Sequence, residues 1–131
     1  DKVADIVKKQ PADDFAMVIA SDLLDADVLS ELRQVMGDDY KSVIFSYLQH
    51  ASQLLTDMKH KADEGDLLSV LRAAHSFKSS SKNVGAVKLG EKARVLEQKL
   101  RDEESVNIKQ AVQDIVVSYD EVARALRELV K

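Results

Sequence analysis

The sequence has few of the features that crosslink a chain, interrupt its helices or insert it into a membrane. It has no cysteine, so neither disulfides nor thiolate metal sites can hold the fold together, which fits a reducing compartment. A single proline and four glycines leave few helix breaks. No apolar run approaches the roughly 20 residues that cross a bilayer, and no signal peptide pattern is present. These absences argue against a secreted disulfide scaffold or a membrane-spanning segment.

The sequence also has no excess of basic residues. The formal net charge is −4, with lysine and arginine spread among acidic residues. A nucleic-acid-binding domain usually carries a broad basic surface, so we expect no nucleic-acid partner. The 131 residues, 45% of them hydrophobic, are enough for one domain with its own core. Because the chain begins at Asp1, we expect it to be part of a longer polypeptide.

The apolar residues recur at three- and four-residue steps, which is typical of amphipathic helices. Asp25 and Asp66 are predicted N-caps, and glycines at 37, 65 and 85 are predicted stops. We expect residues 1–20 to form a linker and an N-terminal helix, and residues 21–131 to form a bundle. The fold class is therefore all-α: an antiparallel four-helix bundle with one or two additional N-terminal helical segments. The predicted helices cover about 13–20, 25–36, 38–64, 67–84, 86–102 and 105–130.

The helix predicted over residues 67–84 carries a histidine on its outer face. On a helical wheel the apolar stripe centres between Val70 and Ala74, and His75 points roughly 130° away from it. Lys78 lies one turn beyond, where neighbouring side chains meet and an ammonium can neutralise phosphoryl oxygens. A neutral imidazole is a competent nucleophile for phosphorus near neutral pH. Exposed leucines on the same arc suggest a docking surface, which comprises Leu68, Leu71, Arg72, Ser79 and Lys82.

Two other candidate sites are weaker. His50 and His60 lie ten residues apart on one predicted helix, about 15 Å, so they cannot share a metal ion. The serine run at 79–81 has no adjacent base that would make a nucleophile, and Ser81 falls on the inner face, where we expect it to bond a backbone carbonyl. We therefore predict no metal site and no catalytic serine.

The stretch AAHSFKSSSKNVGAVKL, residues 73–89, resembles the signature of histidine-containing phosphotransfer domains, in which Ala-His-x-x-Lys is followed by small residues and then Gly-Ala. The resemblance extends over about residues 23–104. Ser79 stands where many relatives have glycine, and Lys88, Gly90 and Lys92 make the next helix less apolar than usual. The positions that match the signature are Ala74, His75, Lys78, Ser79, Ser80, Gly85 and Ala86.

The resemblance implies a phosphorelay carrier of two-component signal transduction. His75 would accept a phosphoryl group from a receiver-domain aspartate of a response regulator and pass it to another, with Lys78 stabilising the charge. Gly85 and Ala86 would keep the docking surface narrow. The partner receiver would bring the magnesium ion, and this chain would need no cofactor of its own. We expect a cytoplasmic monomer, or the cytoplasmic portion of a membrane-bound hybrid sensor kinase.

The sequence has no Walker loop, glycine-rich nucleotide lid or kinase asparagine box, so we expect a phosphocarrier that is not itself an enzyme. Two alternatives remain open. The chain could be a helical interaction or dimerisation module in which His75 is an ordinary surface residue. It could also resemble the phosphoacceptor domain of a chemotaxis-type kinase, which takes phosphate directly from a kinase domain.

Overall fold

The computed structural model describes residues 22–104 and 107–131, and every regular element in these ranges is helical. The all-α prediction is confirmed. The segment before residue 22 and the predicted start of the last helix at Ser105 lie outside the described residues. A 3-10 turn, Gly37–Asp39, joins the first two helices. The helices are α1 Ala26–Met36, α2 Tyr40–Glu64, α3 Leu67–Asn83, α4 Val87–Arg101 and α5 Ile108–Leu129.

Helices α1, α3 and α5 each begin at a residue whose side chain caps the helix. The Asp25 carboxylate accepts hydrogen bonds from the backbone N–H groups of Asp27 and Val28. Asp66 accepts one from the backbone N–H of Ser69. Both predicted caps are confirmed. Within the described residues the last helix begins at Ile108, where the Asn107 side chain accepts the N–H of Gln110 and caps the helix.

Helices α2 to α5 pack around one core. Tyr40 Oη lies 3.3 Å from the Leu129 carbonyl, and Tyr119 Oη lies 2.9 Å from the Leu48 carbonyl, so α2 and α5 run antiparallel. Helix α3 packs against both α2 and α4. No helix in the described ranges is both long and apolar enough to cross a membrane. The largest fully buried side chains include Leu29, Ile44, Met58, Val70, Phe77, Ile115 and Leu126.

The buried face of α3 holds one polar side chain, Ser81. It is fully buried, and its Oγ lies 2.8 Å from Tyr47 Oη. The predicted inward position is confirmed, but the predicted bond to a backbone carbonyl is wrong. The tyrosine hydroxyl comes from another helix, so this pairing could not be read from the periodicity of α3.

The α3 and α4 helices approach closely near Gly90. A Cβ atom placed on Gly90 would lie 2.7 Å from Lys82 Cγ and 3.1 Å from the Lys78 carbonyl oxygen. The absence of a side chain therefore allows this contact. Since Glu97 lies about two turns further along α4, the close approach brings the outer edge of α4 beside the histidine of α3.

Candidate functional site

His75 lies midway along α3, and its side chain is 56% exposed. Val70, Ala74 and Phe77, on the opposite face of the same helix, are fully buried. The prediction that the imidazole points away from the core is confirmed. It is exposed on one side but is held in place on the other.

The residue that holds the imidazole is Glu97 of α4. Glu97 Oε2 lies 2.6 Å from His75 Nδ1 and also accepts a hydrogen bond from Arg101 Nη2 at 2.9 Å. Lys78 Nζ donates to Oε1 at 2.8 Å. The Glu97 side chain is only 6% exposed. A single buried carboxylate thus joins the histidine to two cationic side chains.

Glu97 was not predicted as a site residue. A signal was present, because this acidic residue directly follows Leu96 at the edge of the apolar stripe of α4, with Arg101 one turn later. Buried carboxylates are rare unless they are paired. That pattern indicates that Glu97 needs a partner, but it does not indicate that the partner is a histidine 22 residues earlier in the sequence.

The environment of Glu97 keeps it ionised. Burial alone would raise its pKa, but the hydrogen bonds from Lys78, Arg101 and His75 outweigh burial and lower the pKa to about 2. The carboxylate therefore carries its charge across the physiological pH range. The cationic side chains of Lys78 and Arg101 beside one carboxylate give this cluster a net positive charge.

The ionised carboxylate decides which nitrogen of His75 can react. A carboxylate only accepts hydrogen bonds, so the Nδ1 that faces it carries the proton. In the neutral ring the lone pair then lies on Nε2, on the side of the ring away from Glu97. The contact therefore prepares Nε2 as a nucleophile without a separate base.

The residues predicted to dock a partner have different surroundings. Leu68 is 57% exposed, Arg72 and Ser79 are exposed, and Leu71 is half-buried. The ammonium of Lys82, also half-buried, lies 4.0 Å from the Glu91 carboxylate. These positions remain accessible to a partner.

The prediction that Gly85 and Ala86 belong to the docking surface is wrong, because both residues are buried. Asp25 donates its backbone N–H to the Gly85 carbonyl at 2.7 Å, and a Cβ on Gly85 would lie 3.1 Å from Leu29 Cγ. The start of α1 thus covers this corner. Gly85 has a φ of +85°, so its role is to turn the chain, and the burial of both residues contradicts their predicted place on the docking surface.

An open groove of about 470 Å³ begins one turn from the histidine. Leu71 precedes His75 by four residues on α3, and Leu100 follows Glu97 by three on α4, so the groove is continuous with the site. Its outer rim is acidic. The lining residues are Leu67, Leu68, Leu71, Leu100, Glu103, Glu104 and Ile108.

The other histidines stand apart from this arrangement. His50 and His60 are both exposed on α2. Across residues 22–104 and 107–131, no group of three or more His, Cys, Asp or Glu side chains could hold a metal ion.

Comparison with known proteins identifies the family and the fold. The family model described as Hpt domain matches residues 42–131. The fold is similar to the crystal structure of histidine-containing phosphotransfer protein B (HptB) from Pseudomonas aeruginosa PAO1, with a TM-score of 0.80 and 25% sequence identity, covering 84% of this chain and 96% of that one. No curated protein matches the sequence significantly.

His75, Lys78 and Glu97 all lie within the range of residues that the family model matches. Hpt domains are phosphocarriers rather than kinases, and they work with receiver domains of two-component systems. The bundle, the exposed imidazole and the match over most of the length lead to one conclusion: the chain belongs to the Hpt domain family of histidine-containing phosphotransfer domains.

Proposed function

We propose that this chain carries a phosphoryl group on His75, accepting it from an aspartyl phosphate of one receiver domain and passing it to an aspartate of another. The observation that carries the proposal is the 2.6 Å contact between His75 Nδ1 and the buried Glu97 carboxylate. A surface histidine of an interaction module has no need of a buried, ionised carboxylate. The contact leaves Nε2 available and oriented.

The transfer step requires no proton to leave the ring. The Nε2 lone pair attacks phosphorus, an N–P bond forms, and the P–O bond to the aspartyl carboxylate breaks with its electron pair on the leaving oxygen. Positive charge develops on the imidazole as the new bond forms. The Glu97 carboxylate stabilises that charge through Nδ1–H. The reverse step, attack by a second receiver aspartate, uses the same contacts.

The remaining parts of the reaction come from the partner. We expect the receiver to bring the aspartate and the magnesium ion, while this chain brings the nucleophile and the cation of Lys78. Charge on the equatorial phosphoryl oxygens is the main feature that a protein stabilises in such transfers. The chain would work as a cytoplasmic monomer, either free or as part of a hybrid sensor kinase.

The docking surface we propose includes the groove beside His75. Leu68 is exposed, and burying it beneath a partner would remove apolar surface from water. Glu103 and Glu104 line the groove, next to its apolar floor. A receiver whose apolar contact residue lies beside a lysine or arginine would complement this rim.

The test is phosphotransfer from purified, phosphorylated receivers to the wild-type chain and to His75→Gln. We expect an alkali-stable, acid-labile adduct that mass spectrometry assigns to His75, and none in His75→Gln. His50→Gln is a matched control, because His50 is also an exposed helical histidine. Two results would contradict the proposal. One is phosphorylation of the His75→Gln variant, and the other is a wild-type chain in which none of the receivers tested phosphorylates a histidine.

A further inference from the structure

The ammonium of Lys78 is already occupied in the unphosphorylated protein. Lys78 Nζ lies 2.8 Å from Glu97 Oε1, and its side chain is mostly buried. The proposed function requires that same ammonium at the phosphoryl oxygens. Lys78 must therefore exchange one anion for another each time His75 is phosphorylated.

Moving the Lys78 ammonium away from Glu97 costs free energy, because the Glu97 carboxylate is buried and ionised. A buried carboxylate that loses its cation either pays for desolvation or takes up a proton. A protonated Glu97 could no longer serve as a simple acceptor for His75 Nδ1–H. The exchange is thus easy only if another cation stays on the carboxylate.

Arg101 provides that cation. Its Nη2 lies 2.9 Å from Glu97 Oε2, the oxygen that also accepts His75 Nδ1–H, whereas Lys78 binds Oε1. The guanidinium is always charged, and Arg101 is one turn after Glu97 on the same helix. When Lys78 leaves Oε1, the carboxylate keeps two donors on Oε2.

We propose that Arg101 is a positioning residue that keeps Glu97 ionised while Lys78 moves from Glu97 Oε1 to the phosphoryl group on His75 Nε2. The inference rests on the proposed function and adds a residue to it. No covalent bond changes in this exchange. Arg101 also makes the site net positive before the phosphoryl group arrives, and without Arg101 the Lys78 and Glu97 charges would cancel.

The chain offers a matched control in Arg94. This arginine lies two turns earlier on α4, is about half exposed like Arg101, and pairs with Glu91 at 2.6 Å. Among the described residues its hydrogen bond and ion pair are to Glu91, and none is to Glu97. Arg94→Gln and Arg101→Gln therefore remove the same charge from the same helix, and only one of them affects the carboxylate beside His75.

The experiment measures the rate at which phosphoramidate, a small phosphoryl donor, phosphorylates His75 in the full chain. We expect Arg101→Gln to slow the rate on the order of tenfold, which is the size of one charge-assisted hydrogen bond, and Arg94→Gln to leave it unchanged. Arg101→Lys should restore most of the rate, because it keeps the cation. Urea unfolding of each variant controls for loss of structure.

A double-mutant cycle separates this role from a purely structural one. Lys78→Gln should strongly reduce the rate of His75 phosphorylation when it is made in the wild-type chain. It should reduce that rate much less when it is added to Arg101→Gln, because Glu97 already retains Lys78 in that background. Equal effects of Lys78→Gln in both backgrounds, or an Arg101→Gln rate equal to that of Arg94→Gln, would overturn the proposal. A wild-type chain that phosphoramidate does not phosphorylate at His75 would instead contradict the carrier function itself.

Discussion

Replacing Glu97 by glutamine tests the centre of the site. The substitution preserves shape and volume but removes the charge, and it puts an amide NH₂ beside groups that themselves donate. If that NH₂ faces His75, the ring must accept through Nδ1, which moves its proton to Nε2. The variant should therefore lose both stability and the reactive lone pair.

The stability loss follows from the pKa of Glu97, which falls from an ordinary 4.5 to about 2 in the folded protein. A pKa change of one is worth about 1.4 kcal/mol, so ionisation stabilises the fold by about 3 kcal/mol at neutral pH. Because the folded pKa is the lower one, this stabilisation is complete above pH 4.5 and is lost as the pH falls toward 2. At pH 3 about half of it should remain.

Urea unfolding of wild type and Glu97→Gln at pH 7 and pH 3 measures both quantities. We expect a difference in unfolding free energy of about 3 kcal/mol at pH 7 that shrinks by about half at pH 3. ¹⁵N NMR of the His75 ring should show the Nδ1–H tautomer in wild type and a shift toward Nε2–H in the variant. Glu91→Gln, at an exposed carboxylate of the same helix, is the control: it should change the unfolding free energy far less and leave the His75 tautomer as in wild type.

Two results would refute this reasoning. A stability difference that stays constant between pH 7 and pH 3 would mean that folding does not lower the pKa of Glu97. An unchanged His75 tautomer together with a wild-type phosphorylation rate would mean that the Glu97 contact does not prepare Nε2.

Two further predictions concern docking and the core. Leu68→Asp should slow phosphotransfer from receivers but leave urea unfolding and phosphoramidate labelling unchanged. The control is Val117→Asp, at a similarly exposed position on α5, which should change none of the three measurements. Equal rates of transfer to the two variants would exclude the groove from docking. Ser81→Ala should lower the unfolding free energy by about 1–3 kcal/mol because it leaves the buried Tyr47 hydroxyl without its partner. Adding Tyr47→Phe should recover part of that loss, and a simply additive double variant would argue against the pair.

The parts of this protein that depend on local sequence were predictable. Asp25 and Asp66 cap helices because a side-chain oxygen reaches N–H groups two or three residues away, and that reach is a property of the local chain. The outward direction of His75 and the inward direction of Ser81 follow from the helical period for the same reason. The family signature added the chemistry that geometry alone does not specify.

What the sequence by itself determined, then, was a helical bundle and an exposed histidine with a lysine one turn away. Only the tertiary structure decided that Glu97 holds His75, that Gly85 lies against the start of α1 and that Ala86 is buried. Periodicity states which face of a helix is buried, but not which residues of two helices meet. That depends on how α3 and α4 cross near Gly90, and this crossing carries a carboxylate from 22 residues away to within 2.6 Å of the imidazole.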